Sequence, residues 1–108
     1  MYKKIIEILN KAVVQDMRVY DMKMLTPFYD YTIIGSVNST RQGAAAINYL
    51  KKDAEELGLK IRCCSSSNET TWFLIDLDEV VVHLFVGDER RRYNLDEMYG
   101  NNPILIID

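Results

Sequence analysis

The sequence is poor in the residues that catalytic and metal sites most often use. It has one histidine, His83, and two cysteines among 108 residues. It contains no HExxH, GxSxG, P-loop or GxGxxG motif. A nucleophilic serine or cysteine would need His83 as its base, and His83 lies inside an apolar run rather than in a triad-like setting. The sequence therefore predicts no catalytic residue, no metal ligand and no cofactor.

The two cysteines, Cys63 and Cys64, are neighbours in a predicted strand. Their side chains then point to opposite faces, which disfavours a disulfide between them, and two thiols alone do not make a zinc site. Long apolar runs are also missing. Glu7, Asn10 and Lys11 interrupt the N-terminal segment, so we expect neither a signal peptide nor a membrane span. These features predict a cytoplasmic protein that does not contact a membrane.

What remains is a globular composition, with 48% hydrophobic and 27% charged residues. A chain of 108 residues is long enough for one domain with one core, so we expect residues 1–108 to form a single domain. The net charge of −3 and the pI of about 5.1 do not favour direct recognition of nucleic acid. A mildly acidic chain is better suited to a basic partner.

Hydrophobic periodicity predicts an α/β fold with a mixed β-sheet of about five strands flanked by helices. A capping box at Ser39 and Gln42 opens a long helix that ends at Gly58. The apolar tail 104–107 either completes this sheet or pairs with a neighbouring molecule. The other predicted elements are a helix in the first 14 residues, strands at 18–22, 31–35 and 59–63, a polar loop at 65–69, a hairpin at 72–86, a solvated charged turn at 87–92 and a helix at 95–99.

The hairpin has two unlike faces. A two-residue turn at Asp78 and Glu79 places alternate residues on opposite sides of the sheet. One face is entirely apolar and is typical of a core. The other face mixes aromatic residues with a carboxylate and an imidazole, as recognition surfaces do. Its members are Trp72, Leu74, Asp76, Val81, His83 and Phe85.

This second face has a simpler alternative explanation. Trp72 and His83 can lie beneath a second helix of the same chain, with Asp76 bound to a backbone amide, because aromatic stripes are usually core. Asp76 and Asp78 also form a D-x-D pattern, but aspartate is common at turns for local reasons. A Gly35-Ser36 pair is typical of nucleotidyltransferases, yet no acidic pair follows it to hold two metal ions.

Several segments in order resemble the ribosomal silencing factor family, also called Iojap-related. The resemblance spans roughly residues 3–99 and leaves the tail 100–108 unmatched. The segments are Asp30-Tyr31-x-Ile33-Ile34, Ser39-x-Arg41-Gln42, Trp72-x-x-x-Asp76-Leu77, Val80-Val81-Val82-His83-x-Phe85 and Arg90-x-x-Tyr93-x-Leu95-Asp96. The chain departs from the family pattern at Val37, Ser65, Ser66, Asp78 and Tyr99. Aspartate at position 78 in place of the usual glycine implies a left-handed backbone there.

The resemblance implies a nucleotidyltransferase-like fold without the catalytic acids, and a role that is not enzymatic. Family members bind the universal large-subunit ribosomal protein number fourteen and keep the small subunit from joining, which represses translation. We therefore expect a partner-binding surface on the hairpin and the segment after it. Its expected residues are Trp72, Asp76, His83, Phe85, Tyr93, Leu95, Asp96 and Tyr99.

Two other functions stay open at this point. One is a small metal-dependent nucleotidyltransferase, and the other is a generic homodimeric adaptor. A homodimer off the ribosome is also compatible with the first interpretation. For Arg41 and Arg90, the alternative to a role at the partner-binding surface is that they are internal residues, which orient neighbouring side chains.

Overall fold

A computed structural model describes residues 2–61, 71–100 and 103–107, together with the backbone of residues 63–65. Its helices are α1 (Tyr2–Lys11), α2 (Thr40–Glu56), α3 (Glu89–Tyr93) and α4 (Leu95–Met98). Its strands are β1 (Gln15–Asp21), β2 (Tyr31–Val37), β3 (Cys63–Ser65), β4 (Trp72–Asp76), β5 (Val80–Val86) and β6 (Leu105–Ile107). The predicted α/β class is confirmed.

The strands form one mixed sheet. Within the described residues it contains six strands in the order β3-β4-β5-β2-β1-β6. Strands β2 and β5 are parallel, whereas the other neighbouring pairs are antiparallel. The sheet has one strand more than the five or so predicted, because β6 pairs with β1 and places Leu105 opposite Val19. The apolar tail therefore completes the sheet of its own chain.

Helices α1 and α2 cover one face of this sheet and enclose the larger core. Ile5, Leu9, Ile47 and Leu50 from the two helices are buried against the sheet face that includes Val82. Their spacing of three and four residues places them on one side of each helix, which is why both helices bury a single stripe. The apolar hairpin face predicted from alternation belongs to this core.

The predicted capping box opens α2. The Gln42 backbone N–H donates to the Ser39 hydroxyl at 3.1 Å, and the Gln42 side-chain oxygen accepts from the Asn38 N–H at 2.7 Å. The Gln42 amide also donates to the carbonyls of Ala12 and Val13. One side chain thus caps α2 and ties it to the turn after α1. At the other end, Gly58 takes a positive φ of 72° just past the helix.

A glycine lets α2 approach the sheet closely. A Cβ atom placed on Gly43 would lie 2.2 Å from the Phe73 ring. Both residues are buried, so the missing side chain leaves the space that the ring occupies. This contact sets how near α2 packs against β4.

The opposite sheet face carries a smaller core under α3 and α4. Tyr20, Ile34, Phe85 and Leu95 are buried in it, with the half-buried Trp72 and other aromatic side chains around them. The prediction of a solvated turn at 87–92 is wrong from residue 89 onward, since Glu89–Tyr93 is helical. Helix α3 has only five residues, too few for hydrophobic periodicity to reveal it, whereas the helix predicted at 95–99 is confirmed as α4.

The segment between α2 and β4 differs from expectation where it is described. Residues 59–61 have no regular structure, and the strand begins at Cys63 instead of residue 59. The side chains of Cys63 and Cys64 and the predicted loop residues 66–69 lie outside the described residues. In the part of the chain that is described, no helix is long and apolar enough to cross a membrane.

Candidate partner-binding surface

The hairpin register matches the predicted partition of its faces. Trp72 lies opposite Phe85, Leu74 opposite His83 and Asp76 opposite Val81. The Leu77 N–H closes the turn by donating to the Val80 carbonyl at 2.8 Å. Asp78 has a φ of 76°, which confirms the left-handed backbone predicted there. The turn is as short as predicted, so the period-two assignment of the faces is correct.

The expectation that this whole face is exposed is wrong. Phe85 is 0% exposed, and His83 and Leu95 are each 7% exposed. Tyr93 stacks on Phe85 with ring centroids 5.9 Å apart, and Leu95 packs in the same small core. Phe85 and Leu95 therefore support the surface from beneath and are not available to contact a partner. The cause is α3 and α4, which fold back over the carboxyl end of β5.

Trp72 forms the outer layer of this aromatic cluster. Its ring centroid lies 4.6 Å from that of Tyr93 and 5.2 Å from that of Phe85. Its indole N–H donates to His83 Nδ1 at 3.0 Å. The indole is thus half-buried and held in one orientation, while Tyr93 remains 43% exposed.

His83 is held neutral in this position. Burial lowers its pKa from 6.5 to about 4. An imidazole that accepts a hydrogen bond at Nδ1 is uncharged, because both nitrogens of the imidazolium are donors. His83 binds Trp72 and not Asp76, whose carboxylate instead accepts from the Asp78 backbone N–H at 2.9 Å. The alternative that Asp76 bonds a backbone amide is confirmed.

Asp96 belongs to an internal network. It accepts a pair of hydrogen bonds from Arg90, at 3.0 and 3.2 Å, and a third from the Tyr20 hydroxyl at 2.5 Å. Burial opposes ionisation, but the bonds from Arg90 and Tyr20 and the charge of Arg90 hold the pKa of Asp96 below its usual value. Arg90 already neutralises Asp96, so this carboxylate, expected at the partner-binding surface, is engaged within the chain. The alternative of Arg90 as an internal orienting residue is confirmed.

Tyr99 closes the far side of the cluster. Its ring lies 5.8 Å from that of Tyr20. Burial, together with the nearby Tyr29 hydroxyl, raises the pKa of Tyr99 to about 12. Tyr99 is half-buried and presents part of its ring to solvent.

The residues that remain accessible form what we call the Trp72 surface: Trp72, Leu74, Asp76, Tyr93 and Tyr99. Leu74 was missing from the predicted site, although it lies between Trp72 and Asp76 on the same face by simple alternation. Among the described residues there is no group of three histidine, cysteine, aspartate or glutamate side chains placed to hold a metal ion. The surface combines fixed aromatic rings with one half-buried carboxylate, which suits binding to another macromolecule.

A mixed sheet with a core on each face, and an aromatic cluster on its hairpin, defines a small α/β domain. The family model described as "Ribosomal silencing factor during starvation" matches residues 1–108. The chain belongs to the ribosomal silencing factor family.

Similar proteins agree with this assignment. Ribosomal silencing factor RsfS of Bacillus subtilis is 35% identical over 94 residues, covering 87% of this chain and 80% of that protein. The protein of the same name from Halalkalibacterium halodurans is 38% identical over 88 residues, covering 82% and 75%. A crystal structure of a Chromobacterium violaceum protein superposes with a TM-score of 0.85 at 28% identity, covering 92% of this chain and 82% of that one.

Proposed function

We propose that this chain is a translational repressor that binds the large ribosomal subunit through universal protein number fourteen and sterically prevents the small subunit from joining. Family membership supports the coarser part, a ribosomal silencing factor that is regulatory and not enzymatic. The proposal locates the protein in the cytoplasm, with the ribosomes. The single observation that carries the docking part is the Trp72 surface.

The rigidity of this surface favours tight docking. Trp72 is held by the His83 hydrogen bond and packs on Tyr93 and Phe85. An aromatic side chain that is already fixed loses little conformational entropy on binding. Trp72 and Tyr93 would serve as the apolar anchors, which are the residue types that dominate interface energetics. His83 acts indirectly in this arrangement by orienting Trp72.

Charge around the anchors suits a basic ribosomal protein. Asp76 is half-buried at the end of β4, and the exposed residues Asp78 and Glu79 follow it in the turn. Together they give the edge of the Trp72 surface a negative potential. Complementary charge mainly raises the association rate and selects the partner. Glu97 on α4 is also exposed and adds to the negative charge of this part of the chain.

The mechanism requires position and affinity, but no turnover. A standard interface buries about 800 Å² on each partner. The accessible surface of the chain is 6421 Å², so such an interface uses only a modest part of it. The rest of the domain then projects from the large subunit, where it would occlude the approach of the small one.

Sucrose-gradient sedimentation with isolated large subunits tests the docking surface. We expect the wild-type chain to co-sediment with large subunits, and Trp72→Ala and Tyr93→Ala to remain in the top fractions. Tyr49→Ala is the matched control, because Tyr49 is an exposed aromatic residue on α2, on the other side of the sheet. Circular dichroism of each variant shows whether it is folded.

Co-sedimentation of both folded Trp72→Ala and Tyr93→Ala at the wild-type level would contradict the proposed surface. Binding to isolated protein number fourteen tests the partner, and formation of joined ribosomes from purified subunits tests the block. In that assay the wild-type chain should lower the joined fraction, whereas Trp72→Ala should not. The homodimer off the ribosome stays a prediction, which analytical ultracentrifugation of the free chain tests.

A further inference from the structure

A second site lies at the carboxyl ends of the two parallel strands. Val37 of β2 is opposite Val86 of β5, and the Gly87 N–H donates to the Val37 carbonyl at 3.1 Å. Beyond these ends, β2 continues into α2 on one sheet face and β5 continues into α3 on the other. Adjacent parallel strands whose connections leave on opposite faces open a crevice, and ligands of α/β proteins bind in such crevices.

The crevice contains a cavity of about 340 Å³. This volume lies near the lower end of the range for small-molecule sites. The described residues that line it have polar or charged side chains, apart from one glycine, and come from β1, β2 and the segment after β5. Such a lining excludes an apolar ligand or an apolar docking peptide. It indicates a small and strongly polar ligand.

Arg90 lines this cavity, and all three nitrogens of its guanidinium group already donate hydrogen bonds within the chain. Its Nε and one Nη group bind Asp96, and the other Nη group donates to the Asp16 carbonyl and, at 3.0 Å, to the Ser36 hydroxyl. Its side chain is only 12% exposed. Arg90 therefore fixes the shape of the cavity and leaves ligand binding to its neighbours.

Two other guanidinium groups line the cavity and are less completely engaged. Arg18 Nη2 lies 3.4 Å from the Asp16 carboxylate, and its Nε–H is buried with no hydrogen-bond acceptor among the described residues. Arg91 is exposed and forms no ion pair within 4.0 Å in the same part of the chain. Arg18 is on β1 and Arg91 is on α3, so the two groups reach the cavity from different elements.

We propose that this cavity binds a small ligand through a phosphate group held by Arg18 and Arg91. A tetrahedral phosphate presents oxygens in several directions and can bind two guanidinium groups that approach from different elements. A carboxylate, with two coplanar oxygens, is better matched to a single arginine fork. Inorganic phosphate and phosphate monoesters share this chemistry. The proposal is independent of ribosome docking, because its residues are not part of the Trp72 surface.

A nuclear magnetic resonance titration of the full chain tests the site. Inorganic phosphate and glycerol 2-phosphate are added, with sodium chloride at matched ionic strength as the control for screening. We expect saturable shifts of the Gly87 and Asn94 amides with both phosphates and none with chloride. Arg91→Gln should weaken binding by about tenfold, since it removes charge-assisted hydrogen bonds. Arg92→Gln is the matched control and should bind as the wild type does, because Arg92 is on the same helix but outside the cavity.

The substitution Asp88→Asn tests whether the ligand of this cavity is negatively charged. Asp88 lines the cavity, and its side chain makes no capping hydrogen bond to α3. Removing this carboxylate should strengthen phosphate binding, because a like charge is lost. If Asp88→Asn binds phosphate more weakly than the wild type does, the proposal is overturned. A zwitterionic ligand is then favoured, and glycine is the probe for it. Absence of saturable shifts in the wild type, or equal affinities of wild type and Arg91→Gln, would also overturn it.

Discussion

The indole N–H of Trp72 donates to Nδ1 of His83 at 3.0 Å, which links the single tryptophan of the chain to its single histidine. The two residues are diagonal neighbours on adjacent strands, with ring centroids 5.8 Å apart. The imidazole is buried and uncharged, and it fixes the indole at the edge of the Trp72 surface. A docking surface therefore depends on a hydrogen bond that protonation of one residue abolishes.

This pairing predicts a loss of stability in mild acid. His83 has a pKa of about 4 when folded and 6.5 when unfolded, so only the unfolded chain gains a proton between these values. The stabilisation from neutral His83 is complete above pH 6.5 and is lost as the pH falls from 6.5 to 4. We expect the free energy of unfolding to fall by about 2 kcal/mol between pH 7 and pH 5.

Urea unfolding of the wild type and of His83→Gln at both pH values measures this effect. Glutamine does not titrate, so the difference between pH 7 and pH 5 should shrink by most of that amount in the variant. An equal loss in both proteins would show that other groups cause it. Tryptophan fluorescence of the folded wild type should change near pH 4, where folded His83 gains its proton, and the same change should be absent in His83→Gln.

The network around Arg90 predicts a large and local destabilisation. In Arg90→Gln, the partly buried Asp96 carboxylate keeps the hydrogen bond from the Tyr20 hydroxyl but loses the two hydrogen bonds from the Arg90 guanidinium group. Removing one partner of such an ion pair leaves the other charge unpaired and lowers the free energy of unfolding by about 2–4 kcal/mol. Chemical denaturation should show this loss, and the pKa of Asp96 should rise. Arg92→Gln, with a side chain 73% exposed, should change stability by less than about 0.5 kcal/mol.

Close packing at Gly43 predicts that a helix-favouring substitution is harmful. Replacing glycine by alanine normally stabilises a helix, but here the new methyl group meets the Phe73 ring. We expect Gly43→Ala to lower the free energy of unfolding by about 1–3 kcal/mol. The double variant Gly43→Ala with Phe73→Leu should lose less free energy of unfolding than the two single variants lose together. Strict additivity would mean that the ring and the methyl group do not meet.

The turn after α1 contains a strained valine. Val13 has a φ of 61°, a left-handed conformation that is costly for a β-branched residue. Its side chain is exposed, while its carbonyl accepts a hydrogen bond from Gln42 at 2.7 Å. Val13→Gly should therefore raise stability by about 1 kcal/mol. Val13→Ala, which keeps a Cβ atom, should gain less, and a larger gain for alanine than for glycine would contradict the strain argument.

Local signals in the sequence determined much of this molecule. The alternation of residues 72–86 predicts both faces of the hairpin, because side chains of a strand point alternately to opposite sides. The Ser39 and Gln42 pair predicts the start of α2, because capping involves residues only three positions apart. The order of the family's segments predicts a ribosomal silencing factor. None of these inferences needs a contact between distant parts of the chain.

Only the tertiary structure decided which residues of the second face reach solvent. Phe85 and Leu95 were predicted at the partner-binding surface and are buried, because α3 and α4 fold back over β5, a packing that no local pattern in the sequence reports. Arg90 contacts Asp16 and Ser36, which are 74 and 54 positions away. Spacing in a sequence reports neighbours along a helix or strand, whereas such long-range pairs depend on how the whole chain packs.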